Sequence, residues 1–145
     1  LLERAQMYMN NDQARNAMLD YDAYYKAVNG QVNDLFYYYR EQAALKARQY
    51  QRALDDIVKA IELSPKDLTY RAEHAVVNLR VGRYEESMKI LNEILKDEPK
   101  YGEAYRLLGL CQIQLKKTDE ACGNFNKAKE LGDPNVDELI KKYCK

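Results

Sequence analysis

Tryptophan is missing from this chain of 145 residues, histidine occurs once, and proline and cysteine occur three times each. With His74 as the only imidazole, and with Cys111, Cys122 and Cys144 in no CxxC or zinc-knuckle spacing, the expected metal and cofactor content is none. No apolar run approaches the roughly 18 residues that a membrane span requires. Nor does a basic-then-apolar leader open the chain, which starts at Leu1 inside a helical pattern and reads as a piece of something longer. Charge of one sign is also lacking. Lys plus Arg equals Asp plus Glu at 23 each, so bulk charge gives no reason to expect a nucleic acid or an anionic membrane as partner.

What is present is a period. A shift of 34 residues brings Tyr50 onto Tyr84, Ala53 onto Ser87 and Ala121, and Ile57 onto Leu91 and Phe125. It also brings Ala60 onto Ile94 and Ala128, and Pro65 onto Pro99, with Pro134 one residue late. Self-similarity at this spacing is the mark of a stacked array of helical hairpins. Apolar residues at helical spacing predict helices over 36–48 and 51–63, 68–81 and 85–96, and 101–115 and 119–131. Proline after each second helix stops it and sets the turn to the next unit, and Gly82 closes an inner turn. Residues 135–143 carry Val136, Leu139, Ile140 and Tyr143 on one face and read as a capping helix. Lys141, Lys142 and Lys145 suit the negative end of that helix. Residues 2–10 and 13–28 can form a further hairpin, in which Ala17, Tyr21 and Tyr24 match Ala53, Ile57 and Ala60 with a shift of 36.

These residues resemble the tetratricopeptide repeat. The third unit matches through Tyr105, Leu108, Gly109, Ala121, Phe125 and Ala128, and the first through Tyr37, Tyr50, Ala53, Ile57, Ala60 and Pro65. The second matches through Gly82, Tyr84, Ser87, Leu91 and Pro99, with His74 where leucine is usual. Small residues in such a pattern let paired helices approach, and large ones fill the gap between units. The resemblance implies an all-α, right-handed α-solenoid. Its parts are a divergent hairpin over 1–33, repeats over 34–67, 68–101 and 102–134, and a cap over 135–145, taken as one domain.

The resemblance also implies where a partner would sit, because the first helix of each unit lines the concave surface. The inward positions are Tyr38, Gln42, Leu45 and Lys46, then Thr69, Ala72, Val76, Leu79 and Arg80, then Glu103, Arg106, Leu110, Ile113 and Gln114. The apolar middle, flanked by Lys46, Arg80 and Arg106, is expected to hold a peptide with apolar anchors and some acidic character. The competing reading has the same residues covered by another segment of a longer chain. Relatives that clamp the acidic tail of heat-shock chaperones carry lysine and asparagine in this groove. Tyr38, Gln42, Ala72 and Val76 stand at those positions here and cannot pair a carboxylate.

Tyrosine occurs 13 times against two phenylalanines, densest at Tyr37-Tyr38-Tyr39, whose side chains must fan about 100° apart on a helix. Tyr38 is the one expected in the groove. Within the family's pattern Cys122 faces the next helix, here the cap bearing Cys144, an ending similar to those of exported bacterial repeat proteins. A Cys122–Cys144 disulfide in an exported or periplasmic, oxidising compartment and a pair of small buried thiols in the cytoplasm both fit. His74 has only Ser87 or Met88 within expected reach, and acidic pairs such as Asp55-Asp56 and Glu85-Glu86 open second helices, where they suit the dipole. The expectation is therefore a non-catalytic scaffold or adaptor that binds a protein or peptide. The alternative is a structural or self-associating segment, a homo-oligomer included.

Overall fold

The computed structural model describes residues 1–145, all in helices and their connections. The nine helices are α1 (Leu2–Asn10), α2 (Ala14–Ala27), α3 (Asp34–Lys46), α4 (Tyr50–Leu63), α5 (Leu68–Arg80), α6 (Tyr84–Asp97), α7 (Gly102–Gln114), α8 (Thr118–Glu130) and α9 (Asp137–Tyr143). None is long and apolar enough to cross a membrane. The chain divides into two compact units, Leu1–Tyr70 and Arg71–Lys145.

One backbone device closes every hairpin. At Asp12, Arg48, Gly82 and Lys116 the chain takes a positive φ of 56°, 61°, 86° and 61°. The amide of each bonds a carbonyl three residues back, and the next amide reaches five back, as in Arg48 N to Leu45 O and Gln49 N to Ala44 O. This is the pair of hydrogen bonds of a left-handed helix stop, which satisfies carbonyls that the helix end orphans. Glycine occupies it once in four. Arg48, which the periodicity places inside a helix, is instead the residue that ends α3, because its left-handed φ turns the chain out.

In the first unit α1 packs on α2, α2 on α3 and α3 on α4. Asn33 caps α3 by accepting the Phe36 amide at 3.0 Å. Ala5, Ala17, Ala43, Ala53 and Ala60 are fully buried, letting the helices close around Met18, Tyr21, Phe36 and Ile57. Two bidentate ion pairs cross the hairpins with one spacing, Arg4 to Asp20 (2.7 and 2.7 Å) and Arg40 to Asp56 (2.8 and 2.9 Å). Arg4 holds the Asp20 carboxyl below the usual carboxylate range. Arg40 also lies 4.7 Å over the Tyr25 ring, and burial pushes the Asp56 carboxyl up against its pull. Asp34 accepts the Ser64 and Tyr70 hydroxyls, each at 2.9 Å, which tie the start of α3 to the end of α4 and to the start of α5.

In the second unit the Ser87 hydroxyl donates to the Ala75 carbonyl at 2.7 Å, joining α6 to α5, while α7 packs on both α6 and α8. Gly109 faces Phe125, and a Cβ there would overlap the ring. Ala121, Phe125, Ala128 and Val136 form a sealed cluster, against which Leu139, Ile140 and Tyr143 of α9 pack. The sulfurs of Cys122 and Cys144 stand at disulfide-bonding distance, with Cα atoms 5.7 Å apart, and Cys111 is a buried thiol that burial pushes up.

Arg40 keeps only 12% of its side chain exposed and Asp56 only 7%, so removing Asp56 leaves the Arg40 charge with only the longer 3.4 Å contact to Asp22. Asp56→Ala is expected to cost about 3–5 kcal/mol in urea denaturation, whereas Arg40→Leu with Asp56→Ile, an apolar replacement of both, falls near wild type. Equal losses in the two variants would show that the pair does not carry the effect.

Candidate interaction face on the first helices

In the first unit α3 presents Tyr38, Gln42, Leu45 and Lys46 along one side. Tyr38 and Gln42 are half-buried, Lys46 is exposed and Leu45 is buried at 7% exposure. The Tyr38 ring lies 5.2 Å from that of Tyr70, and Lys46 stands 3.6 Å from Asp12 across the hairpin end. Thr69, the last of the expected positions in this unit, is exposed at the start of α5.

In the second unit Ala72 is buried at 2% exposure and serves as floor, while Val76 and Leu79 on α5 are half-buried and Arg80 is exposed. On α7, Glu103, Arg106, Leu110 and Ile113 are half-buried and Gln114 is exposed. Leu110 and Ile113 pack against the Phe125 cluster, so part of each is core. Arg106 is held at 2.9 Å by the buried Asp133 and at 3.6 Å by Glu103. Two of the three cations expected to greet an acidic ligand thus already face carboxylates of their own unit.

The positions expected from the resemblance leave out the residues around a cavity of the first unit with a largely apolar lining. A space of about 410 Å³ opens between α1 and α3, lined by Leu2, Glu3 and Gln6 of α1, Tyr21 of α2, and Asn33, Leu35, Phe36 and Tyr39 around the start of α3. Leu2, Leu35 and Tyr39 are exposed at 38%, 46% and 42%. The signal was available, since Leu35 stands 34 residues before Thr69 and 68 before Glu103, both named as inward positions. The 36-residue shift, applied to α1, would likewise have carried Tyr38 onto Leu2 and Gln42 onto Gln6.

Chemistry has little to work with on these faces. The Ser87 hydroxyl is committed to a backbone carbonyl, and burial pushes the His74 imidazole below its usual pKa, with Glu86 opposing. No three His, Cys, Asp or Glu side chains converge to hold a metal.

A strand-free chain of helix pairs with a 34-residue period and one repeated turn geometry is a helical repeat protein. The family model described as anaphase-promoting complex, cyclosome, subunit 3 matches residues 10–94, and a tetratricopeptide repeat model matches residues 73–136. The chain belongs to the tetratricopeptide repeat family. It is 30% identical over 99 residues to the small glutamine-rich tetratricopeptide repeat-containing protein 2 of Mycosarcoma maydis, an overlap of 68% of this chain and 28% of that protein. It spans less than a third of the length of the curated relatives it matches. Among solved structures, YrrB, described as a tetratricopeptide repeat protein with an unusual peptide-binding site, superposes with a TM-score of 0.76 at 18% identity. That match covers 95% of this chain and 70% of YrrB. The first repeat domain of Spaghetti (RPAP3), solved with the HSP90 peptide SRMEEVD, gives 0.66 at 21% identity, covering 77% of this chain and 87% of that one.

Beside the expected positions, Glu73 on α5 has its pKa pushed up to about 6 by burial, with the charge of Glu103 adding to the rise, from 4.5 for a free glutamate. Between those values the folded chain holds a proton that the unfolded chain has released. This part of the stability is therefore complete below pH 4.5 and lost as pH rises through about 6. Glu73→Gln should melt higher than wild type at pH 7 and lose that advantage at pH 4.5, as read by circular dichroism. An equal shift at both pH values would remove Glu73 as the source.

Proposed function

We propose that this chain is a non-catalytic interaction module, a scaffold or adaptor, that binds a peptide or extended partner segment along the face made by the first helices of its hairpins. The observation that carries the reading is the exposure of large apolar side chains on that face, Leu2, Leu35 and Tyr39 around one cavity. A soluble surface seldom leaves such residues together unless something covers them. Support comes from the solved structures of similar fold, one described as having a peptide-binding site and one solved with an HSP90 peptide. The chaperone-tail mode itself is not proposed, because Tyr38, Gln42, Ala72 and Val76 offer no cation to a terminal carboxylate.

The test is a quantitative pull-down from native extract with three chains: wild type, a Leu35→Asp, Leu79→Glu double variant, and a Lys59→Glu variant altered on a second helix. A partner retained by wild type and Lys59→Glu but lost by the folded double variant supports the reading. Equal capture by all three moves the working surface off the first helices. Self-association through this face, the second reading, would show as a dimer that the double variant dissolves in sedimentation.

The placement of Cys122 beside Cys144 supports a disulfide that pins α9, and with it an exported, oxidising setting such as the bacterial periplasm. A bridge closing this loop is worth about 3 kcal/mol. Thiol titration of unreduced, denatured protein should find one free cysteine, Cys111; three would end the proposal.

A further inference from the structure

We infer that the cavity between α1 and α3 receives a lysine or arginine side chain of the partner peptide, carried next to an apolar residue. The inference rests on the peptide-binding reading above and names the chemistry of one subsite. The floor of the cavity is aromatic, with Tyr21 at 3% and Phe36 at 6% exposure, their rings 5.8 Å apart and edge to face. Its walls are the exposed side chains of Leu2 and Leu35, and Tyr39 adds a third ring.

Glu3 is the only charged residue in the lining; Gln6 and Asn33 are neutral. Arg4, the neighbouring cation in sequence, is turned away into its bidentate pair with Asp20, so it is not set to answer Glu3. Another surface cavity of this unit differs in kind, mixing Asp12 with Arg15, Lys46 and Arg48 and holding no aromatic ring.

An anionic side chain entering the α1–α3 cavity would meet Glu3 with like charge and lose its hydration among leucines and rings. An apolar side chain would bury the walls but leave the carboxylate unanswered. A lysine or arginine uses every component. Its methylene stem lies on Leu2 and Leu35, its cation sits against the exposed Tyr39 ring, and its donors reach the Glu3 carboxylate. An apolar neighbour in the peptide would cover what remains of Leu35 and Tyr39. The ligand chemistry is thus opposite in sign to the acidic character expected from Lys46, Arg80 and Arg106, of which Lys46 and Arg106 face carboxylates here.

The experiment selects a random dodecapeptide phage library on the immobilised 145-residue chain, then measures recovered peptides by fluorescein anisotropy. Lysine or arginine next to Leu, Ile, Met or an aromatic residue should be enriched. Affinity should fall about tenfold in Glu3→Gln and in Tyr39→Ala, and stay unchanged in Lys59→Ala, altered on the exposed side of α4. Glu3 and Tyr39 are both exposed, and circular dichroism checks that each variant keeps its helix content. Enriched peptides that are acidic, or whose binding ignores Glu3→Gln and Tyr39→Ala, overturn the subsite while leaving the interaction module standing. No enrichment over the blank support overturns both.

Discussion

The close approach of two helices, with a ring filling the space that a side chain would otherwise take, is the contact on which the second unit depends. Gly109 on α7 has no Cβ, and Phe125 on α8 occupies that volume completely. The buried ring then becomes the floor on which Tyr143 stacks, 6.5 Å away, so the cap is seated by the same contact that closes the hairpin. Packing at interior density transmits such a choice outward, because neither partner can move without opening a void.

The first unit answers the same geometric demand with different chemistry. Where α7 has Leu108 and Gly109, α3 has Arg40 and Glu41, both drawn into the structure, with Glu41 wholly buried. The guanidinium of Arg40 is satisfied by Asp56, approached by Asp22 at 3.4 Å, and covered by Tyr25 and Phe36. Arg4 and Asp20 repeat the ion pair one hairpin earlier. Charge pairs need directional matching where apolar pairs need only volume, so this unit is built with stricter geometry and less tolerance of single changes.

The fold was legible because its signals recur. The 34-residue period, the small-large pairs and the prolines each place a helix, and the observed helix ends fall within two residues of those read from Phe36 onward. The binding face was legible only in part, since a register says which positions point inward but not what else touches them. Arg106 and Lys46 read as cations awaiting a ligand, yet each meets a carboxylate from another helix or turn, a relation between residues 27 and 34 positions apart. Ala72 and Leu45 read as lining and lie beneath the surface. The α1–α3 cavity needed the shift of 36 to be followed into the divergent hairpin, where the family's residues had faded but the turn geometry at Asp12 had not.

That turn geometry separates shape from identity. Aspartate, arginine, glycine and lysine hold the same left-handed position in the four hairpins, and in all of them the bonds that fix it run between backbone atoms. The ends of the hairpins are therefore places where side chains can drift without disturbing the architecture. Each is a position whose side chain the turn itself does not use, where a lineage can rewrite charge or attach a label while the two helices of that hairpin keep their place.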